Sequence, residues 1–188
     1  MAQTGKLLVW QKSWVDKVHH PKIDRECNGA ASRWHAEGIL EIVETDGDFT
    51  EYVAQEVVDL IAELPSGVEL LAYDRAMAEF AVRIWERNKL TLQEIPQGAF
   101  MDEGIAFFVT EVQHHDVRHG DCPLLSFAVF NAPMERTPGE GLRKIMKGKA
   151  YKEGVRIDPY IAVLCACQAT VAPEALDPEY VMPQFVKF

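Results

Sequence analysis

Val68-Glu69-Leu70-Leu71-Ala72-Tyr73-Asp74-Arg75 lies between two helical patterns, and its reading decides the fold. Val68 to Tyr73 is a short, largely apolar run of the kind buried between two helical layers, and Asp74 closes it. Ahead of it, Asp48 with Glu51 three residues on makes a capping box for a helix from Phe49 to Leu64. Val53, Val57, Leu60, Ile61 and Leu64 form one stripe of that helix, which Pro65-Ser66-Gly67 ends. Behind the run, Met77, Phe80, Ala81, Ile84 and Trp85 recur at the spacing of a second helix.

The same alternation extends outward. Lys6 to Trp14 and Gly38 to Glu44 read as strands, with Val15 to Arg33 between them as loop and a short helix. Thr91 to Ile95 is strand-like, Asp102 to His115 an amphipathic helix, and Leu124 to Asn131 a buried helix. Pro133 to Gly154 reads as a basic loop and Asp158 to Val171 as the last helix. Strands alternating with helices after residue 38 predict an α/β mixed sheet flanked by helices. The expected organisation is one domain over residues 1–170 and a surface tail over 171–188.

At 48% hydrophobic and 26% charged residues the chain belongs with globular proteins rather than disordered or fibrous ones. It has no apolar run long enough for a bilayer and no signal-peptide core at Met-Ala-Gln-Thr-Gly-Lys, so we expect a cytoplasmic protein. Cys27, Cys122, Cys165 and Cys167 are too few for a disulfide framework, and the last two sit in an apolar stretch that reads as buried thiols. A net charge of −10 excludes a protein that simply coats nucleic acid. From Glu140 to Arg156, however, six basic residues stand against two acidic ones: Arg143, Lys144, Lys147, Lys149, Lys152 and Arg156. That segment reads either as a solvated loop or as a phosphate-contacting arm.

Two aspartates carry the candidate chemistry. Asp74 ends a strand and Asp158 opens a helix. Each has a capping reading, since aspartate is a preferred N-cap and Asp158-Pro159 matches a cap followed by proline. Each also has a ligand reading, in which both carboxylates reach one hard cation; Mg²⁺ and Mn²⁺ take oxygen donors and need few of them when phosphate completes the shell. His115-x-x-x-His119 has zinc-like spacing, but histidines before Gly120 are also what a helix C-terminus favours. There is no Gly-x-x-x-x-Gly-Lys-Ser/Thr, no Gly-x-Gly-x-x-Gly and no Gly-x-Ser-x-Gly.

Five segments, taken in order, resemble the nuclease part of the large terminase subunit of tailed phages. Trp34-His35-Ala36-Glu37-Gly38-Ile39-Leu40 resembles its Trp-x-x-x-Gly-x-Leu element, and Ala72-Tyr73-Asp74-Arg75 its Tyr-Asp-Arg strand end. Ile95-Pro96-Gln97-Gly98 is similar to its Gln-Gly turn, and His119-Gly120-Asp121-Cys122-Pro123-Leu124-Leu125 to its His-Gly-x-x-Pro-x-Leu element. Arg156-Ile157-Asp158 to Ala162 resembles its closing Lys-Ile-Asp-x-x-x-Ala helix.

The resemblance implies a ribonuclease-H-like fold and a metal-dependent endonuclease that cuts concatemeric double-stranded DNA during packaging in the bacterial host. It makes Asp74 and Asp158 the second and third metal-holding acids, with Mg²⁺ or Mn²⁺ as cofactor, two ions in all. Arg143, Lys144, Lys147, Lys149, Lys152 and Arg156 become DNA contacts. Double-stranded DNA, the terminase small subunit, the portal and a separate ATPase domain are the implied partners. The chain departs from the pattern in four places. No acid precedes Asp16 to serve as the family's first ligand, and the ATPase domain with its Walker motif is missing. Ala76 follows Tyr-Asp-Arg where the family has tryptophan, and Asp121 stands where a small or amide residue is usual. The chain is therefore expected to be a fragment, one product of a split gene or a prophage remnant. A catalytically silent DNA-binding or assembly module of the same fold is the alternative, with another ribonuclease-H-like enzyme such as a resolvase as a third reading.

Overall fold

The structure, a computed structural model, describes residues 7–65, 67–74, 78–96, 101–136, 143–145, 149–150 and 155–172. The elements in chain order are β1 (Leu7–Leu8), β2 (Ser13–Asp16), α1 (His20–Glu26), α2 (Ala30–Ala36), β3 (Leu40–Val43), α3 (Phe49–Glu63), β4 (Leu71–Tyr73) and α4 (Glu79–Arg87). They continue with β5 (Leu92–Glu94), α5 (Asp102–Gln113), β6 (Val117–Arg118), α6 (Pro123–Phe130), β7 (Met134–Arg136), β8 (Arg143–Ile145) and α7 (Asp158–Val171).

The strands pair in parallel as β1–β6, β2–β3 and β4–β5, and antiparallel as β7–β8. Parallel neighbours need a crossover, and here the crossovers are helical: α1 and α2 join β2 to β3, and α4 joins β4 to β5. The expected alternation after residue 38 holds, and Asp48 caps α3 by accepting from the Thr50 and Glu51 amides at 2.7 and 3.0 Å.

Four expectations differ from the structure. Lys6–Trp14 is not one strand but two, β1 and β2, each with its own parallel partner. The stretch expected as mostly loop from Val15 holds α1 and α2, the second buried through Ala30, Ala31 and Trp34. The segment from Pro133 expected as a loop contains the β7–β8 pair, with Met134 opposite Ile145. Phe80 also leaves the buried stripe assigned to it. It is 60% exposed, because α4 is oriented by Trp85, whose indole donates to the Ala54 carbonyl at 3.1 Å.

The largest core forms around α7, where Tyr160, Ile161, Leu164, Cys165, Cys167 and Ala169 are all buried. A helix buried on that much of its circumference is an interior element. Phe108 of α5 meets Tyr160 with ring centroids 5.4 Å apart. The α5–α7 contact is close because residue 104 is glycine: a Cβ there would lie 2.7 Å from the Gln168 backbone nitrogen. Gln168 uses that closeness. Its side-chain oxygen accepts from the Gly104 amide at 2.7 Å, one of the first-turn donors that α5 cannot satisfy itself.

Gly104→Ala must therefore push two backbones apart, and we expect a loss at the upper end of the ~1–3 kcal/mol typical of overpacking. Gln168→Leu leaves the Gly104 amide buried without its acceptor, at about 1–3 kcal/mol. Urea denaturation of both single variants and the double variant checks this, and the double should lose less than the sum.

Candidate functional site

Asp74 follows the last residue of β4 and is half-buried. It does not cap the next helix, because α4 begins at Glu79 with Ala78 at the N-cap position. Asp158 is the first residue of α7, with Ile157 at the N-cap position and Pro159 behind it. It is exposed in the first turn, where the unpaired amides of the helix favour a negative charge. The capping reading therefore describes neither aspartate as drawn. Both belong to one layered unit, for Ala72 of β4 packs on the core that Ile157, Ile161 and Leu164 build.

Asp158 lines a cavity of about 330 Å³ together with Lys12, Trp14, Arg156 and Pro159. Arg156 is anchored there by Glu26 of α1, with Nη2 and Nε at 2.8 and 2.9 Å from the same carboxylate oxygen. That ion pair ties the approach to α7 to α1, across the cavity's Cys27 side. Lys12 sits between two carboxylates, 3.3 Å from Glu41 and 3.2 Å from Glu56, with Tyr52 donating to Glu41 at 3.1 Å. Burial opposes the Lys12 charge, but hydrogen bonds to Glu56 and Glu41 and their charges outweigh it and hold its pKa above the ordinary lysine value. Nothing local in the sequence announced this cluster, because its members come from three distant segments.

The other expected residues are more scattered. Arg143 and Lys144 belong to β8, opposite Arg136 and Glu135. Lys149 is exposed, and Lys147 and Lys152 lie outside the described residues. Among the described residues no group of three or more His, Cys, Asp or Glu side chains gathers as an ion would require. His114 caps the C-terminus of α5 and His115 follows in the left-handed region, so these two serve helix termination. Among the described residues no helix is long and apolar enough to cross a membrane.

Two of the sequence elements that carried the family resemblance are backbone devices. At the end of α2, Gly38 takes φ +74°, its amide bonds the His35 carbonyl and the Ile39 amide bonds the Trp34 carbonyl. This is a Schellman stop, with Trp34 buried edge-on against Phe127 at 5.3 Å. Gly120 and Asp121 both take positive φ, +59° and +54°, and turn the chain into α6, whose first turn holds Pro123. Gln97 and Gly98 lie outside the described residues.

Parallel strand pairs joined by helices, an antiparallel pair beside them and a buried closing helix define a mixed α/β fold of ribonuclease-H-like type. Among solved structures the chain is similar to the crystal structure of the HK97 bacteriophage large terminase, with a TM-score of 0.69 and 22% sequence identity. The match covers 83% of this chain and 32% of that one, so the chain spans about a third of that protein's length. The fold is terminase-like. No family model matches the chain, and no curated protein matches it.

Two measurements probe these surroundings. Burial pushes the Cys167 thiol from 9.0 up to about 12 and raises Cys27 as well. At pH 8 we expect a thiol reagent to label Cys122 first in the native chain and all four cysteines only after denaturation. The sign for stability follows: Cys167's contribution is intact below pH 9.0 and is lost as pH rises towards about 12, because the unfolded chain ionises first. Separately, Asp121→Gly should keep or raise the melting temperature, whereas Asp121→Val should cost about 1–2 kcal/mol at this left-handed position.

Proposed function

We propose that this chain is the DNA-cutting part of a phage genome-packaging terminase, a metal-dependent endonuclease acting on double-stranded DNA in the host cell. One observation carries the reading. In a terminase-like fold, a half-buried carboxylate ends β4 and an exposed one begins α7, and neither serves as an N-cap. Asp74 and Asp158 would hold Mg²⁺ or Mn²⁺, hard cations suited to carboxylate oxygens, and the ions would supply an activated water and stabilise the leaving oxygen. The residues of this chain contribute position: the strand end fixes Asp74, and the Arg156–Glu26 pair fixes the backbone just ahead of Asp158. Arg143, Lys144, Lys147, Lys149 and Lys152 would contact phosphates without reading sequence. The small subunit, the portal and an ATPase domain are the corresponding partners.

The absence of a third ligand among the described residues favours a second reading, a catalytically silent DNA-binding or assembly module. The two separate in one experiment. Plasmid DNA is incubated with the purified chain and Mn²⁺, beside the Asp74→Ala, Asp158→Ala double variant. Nicking by the wild type alone supports the nuclease. Silence from both proteins, with DNA still retained at low salt, supports the module. In either case Lys144→Ala and Lys149→Ala should weaken binding to all sequences alike, each flattening the slope of log K against log salt by about 0.9. No retention of DNA by any variant would sink both readings.

A further inference from the structure

β4 separates two helical layers. Leu71 and Tyr73 pack on the α3–α4 cluster around Ala54, Ala81 and Trp85, while Leu70 and Ala72 pack on the core built by α7. Alternate side chains of a strand point to opposite faces, so α3 and α7 cover opposite faces of β4. Beside β4 lies a groove of about 690 Å³ that is lined by α3, by α7 and by Leu71. The groove is therefore a gap in the sheet layer of a helix–sheet–helix sandwich, open at one edge of β4.

Both helices turn uncovered stripes to this gap. α7 is buried on most of its circumference, yet Ala162, Ala166 and Thr170, spaced four apart, are exposed in the groove. No charged residue follows Asp158 in α7, so that stripe lacks the side chains of a solvated face. On α3, Val57, Leu60, Ile61 and Leu64 line the groove at helical period, and only Ala54 of that helix is buried. The strand edge is open as well. Leu71 and Tyr73 bond towards β5, through the Thr91 carbonyl and the Ile95 amide, which turns the Ala72 peptide to the opposite edge. Trp14, which also lines the groove, has its indole nitrogen buried with no hydrogen-bond partner among the described residues. A free strand edge between two apolar helix faces is completed by a further strand, which pairs with the edge and buries both of its own faces.

We propose that this gap takes an apolar β-strand from a second, different polypeptide, paired along β4. The stripe of α7 from Pro159 to Thr170 extends for about 16 Å, the length of about five strand residues. α7 presents proline, alanine and threonine there and α3 presents valine, leucine and isoleucine. The strand that fits alternates bulky aliphatic residues towards α7 with small ones towards α3. Its middle is uncharged, because the charged side chains lining the gap are Glu63 and Lys12, and Lys12 is offset by Glu41 and Glu56. Each described strand of this chain already lies in its own pair, so among the described residues a second copy has no free apolar strand to donate. A different polypeptide is the source that remains, and the similar phage terminase, of which this chain matches 32%, shows such a fold beside further polypeptide.

The test titrates the full chain with the synthetic peptide acetyl-Lys-Ile-Ala-Val-Ala-Ile-Lys-amide. Its control, acetyl-Lys-Ile-Pro-Pro-Ala-Ile-Lys-amide, stays apolar but loses a backbone donor on each edge. Trp10 lies in the groove and is 70% exposed, and a Trp10→Phe background isolates its emission. We expect a saturable blue shift of Trp10 with the first peptide, none with the second, and slowed hydrogen exchange of the Ala72 amide. Ala166→Asp, at an exposed position, should weaken binding at least about tenfold by setting a charge against the strand. Should that variant fail to fold, Thr170→Lys serves in its place. Equal binding of both peptides, binding indifferent to the charged variant, or no shift up to about millimolar peptide overturns the proposal. So does Trp10 emission already blue in the free chain, which assigns the gap to this chain's own residues or, with a dimer mass by light scattering, to a second copy. Neither DNA nor metal enters the measurement, so its failure and that of the nuclease reading are distinguishable.

Discussion

The contact of Gly104 with Gln168 constrains more of this molecule than any other single interaction. A helix normally keeps its neighbour at a distance set by side chains, about 8–10 Å between axes. Removing the side chain at 104 lets α5 approach the α7 backbone itself, and the Gln168 amide then supplies an acceptor to the first turn of α5. With α7 seated in this way, its far end meets β5, where the buried Gln93 donates to the Ala172 carbonyl at 3.2 Å. Its near end carries Asp158 out to the cavity beside Lys12 and Arg156. The position of the candidate carboxylate is thus a consequence of packing made more than two helical turns away.

Much of the fold could be read from periodicity, and the reason is visible in which elements were legible. α3, α5, α6 and α7 are long enough for a stripe or an apolar run to register, and Asp48 announced the start of α3 by its own chemistry. α1 and α2 are seven residues each, too short for a pattern, and α2 buries alanines that carry little hydrophobic signal. The β7–β8 pair was hidden because its strands are three residues long and mostly charged in sequence, too short for an apolar alternation to register. Phe80 shows a different limit: the face of a short helix is chosen by its strongest anchor, here Trp85, and periodicity alone assigns every apolar residue to that face.

The candidate site was legible to a lesser degree, and the family elements explain why. Gly38, Gly120, Asp121 and Pro123 matched or tested the pattern because a helix stop and a tight turn demand particular backbone conformations. Such elements locate a fold well and say nothing of chemistry. One residue that departed from the pattern, Asp121, occupies a left-handed position that asparagine and glycine share with it, so that departure is conservative in physical terms. Asp74 and Asp158 differ in kind. Each had a local explanation as a cap, and the structure gives the cap positions to Ala78 and Ile157 instead. Asp158 still favours the start of α7 through its charge in the first turn, whereas Asp74 lies five residues ahead of α4.

Charge sets the remaining condition on any partner of this surface. A chain of net charge −10 repels a polyanion unless its cations are grouped and unpaired. Lys12 is flanked by Glu41 and Glu56, and Arg156 is engaged by Glu26, so the positive charge of each is offset by neighbouring carboxylates. The basic stretch from Arg143 to Lys152 is the densest run of positive charge in the sequence, and it precedes α7. A polyanion drawn to that stretch would meet the carboxylate of Asp158 only if the intervening negative charge were neutralised. Divalent cations do that at low cost, since a hard ion satisfies carboxylate and phosphate oxygens together.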